Sequence, residues 1–139
     1  QRSMNMGIYR RRAQYHETDQ MGIIHHSNYI KWMEEARIDF LEKSGFSYDK
    51  LEKDGIISPV ISVECSYKKT TTFSDEISIE VTALTFNGIK LKLGYVMKNA
   101  EGVTVCEASS CHCFLNTDGY PVRLKKEFPE FYSTLASLV

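Results

Sequence analysis

The densest group of reactive side chains in this 139-residue chain is Tyr15-His16-Glu17-Thr18-Asp19, followed by Gly22 and then His25-His26. Immediately after it, from Asn28 to about Ser44, the apolar residues recur with helical spacing. The first N–H groups of a helix have no partner inside it, and together with the helix dipole they favour a negative charge that develops beside them. A carboxylate a few residues upstream, such as Asp19, could attack a carbonyl held there or activate water against it. These are the parts of an acyl-transfer site. The same residues also fit an ordinary turn, since Thr-Asp before Gly is a common turn sequence and acids near a helix start stabilise it without chemistry. Taken singly, either His25 or His26 fits a hydrogen-bonded structural role better than a catalytic one.

The elements around this stretch decide whether the parts can meet. Residues 8–16 read as a strand with one wet face, and Glu17 to Ile24 breaks the pattern. In the helical stretch Tyr29, Met33, Ala36 and Phe40 form one stripe, flanked by Ile30, Arg37 and Leu41, while Lys31, Glu34, Glu35, Asp39 and Glu42 face away. Ser27 is the expected N-cap and Gly45 the stop, so the seventeen residues make a rod of about 25 Å. A short polar connection, Tyr48 to Gly55, leads into segments that read as strands: Val60 to Tyr67, Ile77 to Phe86, Ile89 to Met97 and Val103 to Leu115.

Two rows of alternating residues, Ile77-Ile79-Val81-Ala83 and Ile89-Leu91-Leu93-Tyr95-Met97, should face one core. Asn87-Gly88 and Glu101-Gly102 mark tight reversals, so the last three strands form an antiparallel meander; Asp118 to Pro121 ends it, and residues 126–138 form a terminal helix or pack loosely. The expected class is α+β: an antiparallel five-stranded sheet wrapped around one long helix, in a single domain over 1–139. In the last strand Val103, Val105, Cys111 and Cys113 are assigned to one face and Cys106, Ala108 and Phe114 to the other. With both faces apolar, a homo-oligomer is expected.

Composition sets outer limits. Apolar residues make up 42% and charged residues 25%, which suits a folded globular domain, and no run is long enough for a membrane span or shaped as a secretory signal. Gln1, Arg2 and Ser3, ahead of Met4, are set aside as vector-derived. A net charge of −1 gives no field that would gather nucleic acid, and cysteines within strand-like segments read as reduced thiols, so a cytoplasmic protein is expected.

The run TDQMGIIHHSNYIKWMEEAR, Thr18 to Arg37, resembles the signature of hotdog-fold acyl-CoA thioesterases of the 4-hydroxybenzoyl-CoA thioesterase type, particularly the Tol-Pal-associated subgroup. Asp19, Gly22, Asn28, Tyr29 and Glu35-Ala36-Arg37 occupy the matching places, and Tyr67 to Asp75 is similar to the family's tyrosine-to-aspartate connection, with Thr71-Thr72 where the family often has proline. The resemblance implies hydrolysis of an acyl-CoA with Asp19 as nucleophile or general base, His26 and Tyr15 beside it, and a backbone N–H near His26 holding the thioester oxygen. Gly22, His25, Ser27 and Asn28 would contact substrate, His25 standing where many relatives have an aromatic residue. It also implies edge-to-edge dimers with interfacial active sites, commonly paired into tetramers. For the CoA phosphates, Lys68, Lys69, Lys90 and Arg123 are the candidates, with Lys125 and Lys126 also available. No cofactor is expected.

Other readings compete. Cys111-His112-Cys113 with Cys106 suggests zinc, but strand alternation sends His112 away from its neighbours, so no metal is expected. A cysteine nucleophile, Cys65 or Cys106, would need a base nearby. A hotdog dehydratase shares the substrate class, whereas a non-catalytic acyl-binding module would bind thioesters without releasing thiol.

Overall fold

A computed structural model describes residues 8–139; the reading of residues 1–3 lies outside them. The chain runs β1 (Ile8–Arg12), a 3-10 turn (Tyr15–Glu17), α1 (Ser27–Lys43), α2 (Tyr48–Lys53), β2 (Val60–Tyr67), β3 (Glu76–Phe86), β4 (Lys90–Lys98), β5 (Thr104–Cys113), α3 (Leu124–Glu127) and α4 (Pro129–Ser137). The strands form one antiparallel sheet in the order β1-β3-β4-β5-β2. This is the α+β arrangement expected, with β3, β4 and β5 as the meander and α1 against its inner face.

The inner face follows the alternation. Ile77, Ile79, Val81 and Ala83 of β3 and Leu91, Leu93, Tyr95 and Met97 of β4 are all buried, opposite Tyr29, Met33, Ala36 and Phe40 of α1. Burying each large apolar side chain contributes roughly 1.5–3 kcal/mol. Ile89, assigned to the same row, is exposed because it precedes β4 in the Asn87-Gly88 reversal, where Asn87 Oδ1 accepts the Ile89 N–H. The buried face of α1 is also wider than the stripe predicted: Trp32 is fully buried, while Ile30, placed on the flank, is exposed.

Two boundaries differ from expectation, and the open choice at the C-terminal end is resolved as helix. The first strand stops at Arg12, and Tyr15–Glu17 curls into the 3-10 turn. The connection after α1 contains α2, because Ser47 Oγ accepts the Lys50 N–H as an N-cap and Leu51 is buried beneath it. The terminal segment forms α3 and α4, with Phe131 packed on Phe46 and Phe114.

The faces of β5 are also corrected. Lys92 pairs with Cys111 and Lys90 with Cys113 on the outer face, together with Glu107 and Ser109, whereas Cys106, Ser110 and His112 point inward. A register irregularity between Met97 and Lys98 buries the consecutive Val105 and Cys106. The outer face of β5 is therefore polar and thiol-bearing, and Val103 lies outside the strand. The exposed apolar side chains lie instead on β2, an edge strand: Val60 and Ile61 near Ile57 at one end, and Tyr67 at the other. All four cysteines are free, and His112 lies on the face opposite Cys111 and Cys113, so those three cannot converge on one ion.

A polar line crosses this core. Tyr95 OH lies 2.7 Å from Ser110 Oγ, which lies 2.6 Å from His112 Nε2. Burial, and then the Arg37 charge, push the His112 imidazole down from 6.5 to about 4. In the unfolded chain His112 takes a proton below about pH 6.5, while the folded chain resists it until about pH 4. Stability should therefore fall as the pH drops through that window, by up to about 3 kcal/mol. Melting temperature against pH for wild type and His112→Gln checks this: the slope between pH 6.5 and 4 should flatten in the variant, and an unchanged slope would refute the assignment.

Candidate active site

The stretch before α1 is held by a buried acid. Glu17 Oε1 accepts hydrogen bonds from Arg11 Nη1 and the Gln14 N–H, both at 2.8 Å, and Oε2 accepts from Trp32 Nε1 at 3.0 Å. Arg11 Nε also donates to Glu35 Oε1 at 2.9 Å, and its guanidinium lies 4.8 Å from the centre of the Trp32 ring. Burial by itself pushes the Glu17 carboxyl up, but the hydrogen bonds from Arg11, Trp32 and the Gln14 N–H outweigh it and hold the group below the usual carboxylate range. The Glu17 carbonyl accepts from the His25 N–H and from Asn28 Nδ2. The 3-10 turn is thereby fastened to both β1 and the start of α1.

Between these fixed points, residues 18–24 form a tight loop. Thr18 bridges to Ile24, the Asp19 N–H donates to the Ile23 carbonyl at 2.8 Å, and the Gly22 N–H donates to the Asp19 carbonyl. Gly22 has φ +81°, a conformation that a side chain would strain. Asp19 Oδ1 accepts the Met21 N–H at 2.8 Å and, more loosely, the Ile23 N–H at 3.4 Å; Oδ2 has no partner among the described residues. The loop is pinned from below by Thr71-Thr72. The Ile24 N–H donates to the Thr71 carbonyl at 2.7 Å, and the buried Thr71 hydroxyl accepts from Tyr29 OH.

At the start of α1 the expected cap is corrected. Ser27 is the first helical residue; His26 occupies the N-cap position and makes no capping bond through its side chain. The His25 ring replaces the serine, with Nδ1 accepting the Ser27 N–H at 3.2 Å and lying 2.9 Å from Ser27 Oγ. A hydroxyl already inside the helix points back along it, whereas the ring two residues earlier reaches across the first turn. The Asn28 and Tyr29 N–H groups donate to the His25 and His26 carbonyls. Among the described residues the His26 N–H is left without a partner.

Asp19 and His26 share a cleft of about 430 Å³ whose apolar walls include Met21, Ile23, Tyr29 and Tyr67 and whose outer rim carries Lys68 and Lys69. His26 packs edge-on to Tyr67 and stacks on His25. The remaining expected site residues are not at this cleft. Tyr15 is 75% exposed and packs edge-on against Phe73. Asn28 is buried, its amide bracing Glu17 and His25, and Ser27 faces His25. Lys90 lies opposite Cys113, seven residues and about 23 Å along the strands from the Met97–Cys106 pair at the cleft end. Arg123 caps α3.

Two contributors were not singled out from the sequence. Tyr67 lines the cleft, and its hydroxyl is pushed up to about 12 by burial and by Cys65, so it remains a protonated donor. Glu17 stood inside the reactive cluster without a role; the signal was an acid, an arginine and a tryptophan on three neighbouring segments. The cysteine reading loses its footing, since burial and then Cys65 push the Cys106 thiol up to about 12, and Cys65 Sγ sits 3.6 Å from Met33 Sδ.

A five-stranded antiparallel sheet wrapped around one long helix is the hotdog arrangement, and residues 13–135 match the model of the Thioesterase-like superfamily; the chain belongs to that family. It is 35% identical over 122 residues to a Bacillus subtilis (strain 168) protein described as "Putative acyl-CoA thioesterase YneP", covering 87% of this chain and 88% of the relative. It is 26% identical over 107 residues to the acyl-CoA thioester hydrolase YbgC of Escherichia coli O6:H1, covering 76% of this chain and 80% of the relative. A DHNA-CoA thioesterase from Staphylococcus aureus has a similar crystal structure, with a TM-score of 0.91 and 32% identity over 94% of this chain and 89% of that one.

If Glu17 anchors the site, removing it leaves Arg11 paired with Glu35 alone and deprives the buried Trp32 Nε1–H of its acceptor. Glu17→Ala should lower the unfolding free energy by about 1–3 kcal/mol. Urea denaturation measures this, and a loss below about 1 kcal/mol would mean that the network carries little of the local order.

Proposed function

We propose that the chain hydrolyses the thioester of an acyl-CoA, with Asp19 as the catalytic carboxylate and the His26 N–H as the donor to the thioester oxygen. The observation that carries this reading is that an unengaged Asp19 oxygen and an unengaged helix-start N–H border the same apolar cleft. As nucleophile, Asp19 Oδ2 adds to the thioester carbon, negative charge collects on the carbonyl oxygen beside the His26 N–H, and the carbon–sulfur bond breaks to release the CoA thiolate. Water then cleaves the resulting anhydride and returns the carboxylate. As general base, Asp19 instead takes a proton from the water that attacks. In either course the exposed His26 imidazole can protonate the departing sulfur.

The names of the relatives support a thioester hydrolase. The finer placement, with the 4-hydroxybenzoyl-CoA thioesterase type and its Tol-Pal-associated subgroup, is our own extension of the signature in Thr18 to Arg37. Lys68 and Lys69 at the rim suit the CoA phosphates. We place the protein in the cytoplasm as a homo-oligomer, a dimer that pairs into a tetramer. The support is the unpaired edge of β2 with its exposed Val60 and Ile61, which a second β2 would cover. No helix among the described residues is long and apolar enough to cross a membrane.

A free-thiol assay across short, long and aromatic acyl-CoAs tests the reading. Asp19→Ala and Asp19→Asn should lower kcat at least about a thousandfold with the melting temperature preserved. His26→Ala should lower it about ten- to a thousandfold. Wild-type turnover in Asp19→Ala would remove the assignment, and tight thioester binding without thiol release would leave an acyl-binding module.

A further inference from the structure

β1 carries three consecutive arginines, and the strand pleat divides them. Arg11 turns inward to Glu17 and Glu35, while Arg10 and Arg12 stand exposed on the outer face of the sheet. The register extends this outer group across two more strands. Arg10 lies opposite Ser78 of β3, and Ser78 lies opposite Lys98 of β4. Arg12 lies opposite Glu76 and pairs with it at 3.3 Å. Arg10 and Lys98 have no ion pair among the described residues, and Glu80, the next outward residue of β3, pairs with neither. Adjacent strands are about 4.8 Å apart, so the backbones of Arg10 and Lys98 are about 10 Å apart with the serine between them. Two side chains of that length can meet over its hydroxyl.

These groups border one cavity of about 440 Å³, lined by Arg10, Arg12, Glu76, Ser78 and Lys98 together with the turn after β4. In that turn Asn99 Oδ1 accepts the Glu101 and Val103 N–H groups, and the Asn99 carbonyl accepts the Gly102 N–H. The Ala100 N–H, at the cavity wall, has no partner among the described residues. Three outward cations therefore share a single carboxylate, and like charges on neighbouring strand positions repel. The cavity has no lining residue in common with the cleft of Asp19 and His26. It lies on the outer face of the sheet, whereas α1 covers the inner face.

We propose that this cavity is a second ligand site, which takes a phosphate dianion, free or as the terminal monoester of a small metabolite. A dianion matches the two cations left over once Arg12 has paired with Glu76. Arg10 offers a planar fork to two phosphate oxygens, Lys98 supplies a point charge, and the Ser78 hydroxyl donates between them. A carboxylate would neutralise only one of the two. The volume exceeds that of phosphate alone and leaves room for an attached organic group.

Isothermal titration calorimetry of the full chain at low ionic strength tests this, with inorganic phosphate, adenosine monophosphate and adenosine as probes. The nucleotide should bind and the nucleoside should not. Phosphate bound as tightly as the nucleotide identifies the free ion as the ligand, and a tighter nucleotide identifies the monoester. Arg10→Ala and Lys98→Ala should each weaken nucleotide binding at least about tenfold, because each removes a hydrogen bond between charged groups. Both side chains are exposed, so both variants should keep the wild-type melting temperature. Lys68→Ala, at the rim of the other cleft, should leave the affinity unchanged. Failure of phosphate and nucleotide to bind, equal binding of nucleotide and nucleoside, or affinity lost in Lys68→Ala but kept in the Arg10→Ala, Lys98→Ala double variant would each overturn the proposal. None of the probes contains a thioester, so a chain that binds them and cleaves no acyl-CoA would end the hydrolase reading and leave this site standing.

Discussion

A single ionised carboxylate inside the protein organises everything near the cleft. Glu17 ties β1 through Arg11, α1 through Trp32 and its own turn through the Gln14 N–H, and its carbonyl fixes His25 and Asn28. Such an acid would be expensive to bury alone; with a guanidinium, an indole and an amide donating to it, it becomes the joint between three elements. The loop bearing Asp19 springs from this joint on one side and returns to it on the other. Asp19 can therefore be exposed to a ligand and still be held in place.

Much of the layout was legible in the residues. Alternation in Ile77 to Ala83 and Leu91 to Met97 gave the inner face, because a pleated strand with one buried side leaves little else to those positions. Asn87-Gly88 announced its hairpin for reasons of backbone conformation alone. Asp19 and His26 were brought together at one cleft, as a loop feeding straight into a helix tends to do.

What escaped depended on contacts between distant segments. Trp32 was left out of the buried stripe because periodicity weighs only the helix itself, whereas its burial follows from Glu17 and Arg11 on other elements. Alternation failed along β5, where an irregularity in register put Val105 and Cys106 inside together. Tyr15 is near Asp19 in sequence, yet the 3-10 turn rotates it toward Phe73. The basic residues divided along the sheet, with Lys68 and Lys69 at the cleft and Lys90 at the other end, a separation that charge counting does not register.

The order of the strands bears on how the molecule assembles. The meander of β3, β4 and β5 closes through short reversals, whereas β1 must find Glu76 to Glu80 across α1, α2 and β2, and β2 must find β5 across β3 and β4. Loop-closure entropy delays such pairings, so the central hairpins should form early and the two borders dock last. The strand that carries Arg11 is one of those late arrivals. Competence for chemistry is then among the final things the nascent chain acquires, and a half-assembled intermediate would display its apolar interior without the power to cleave anything.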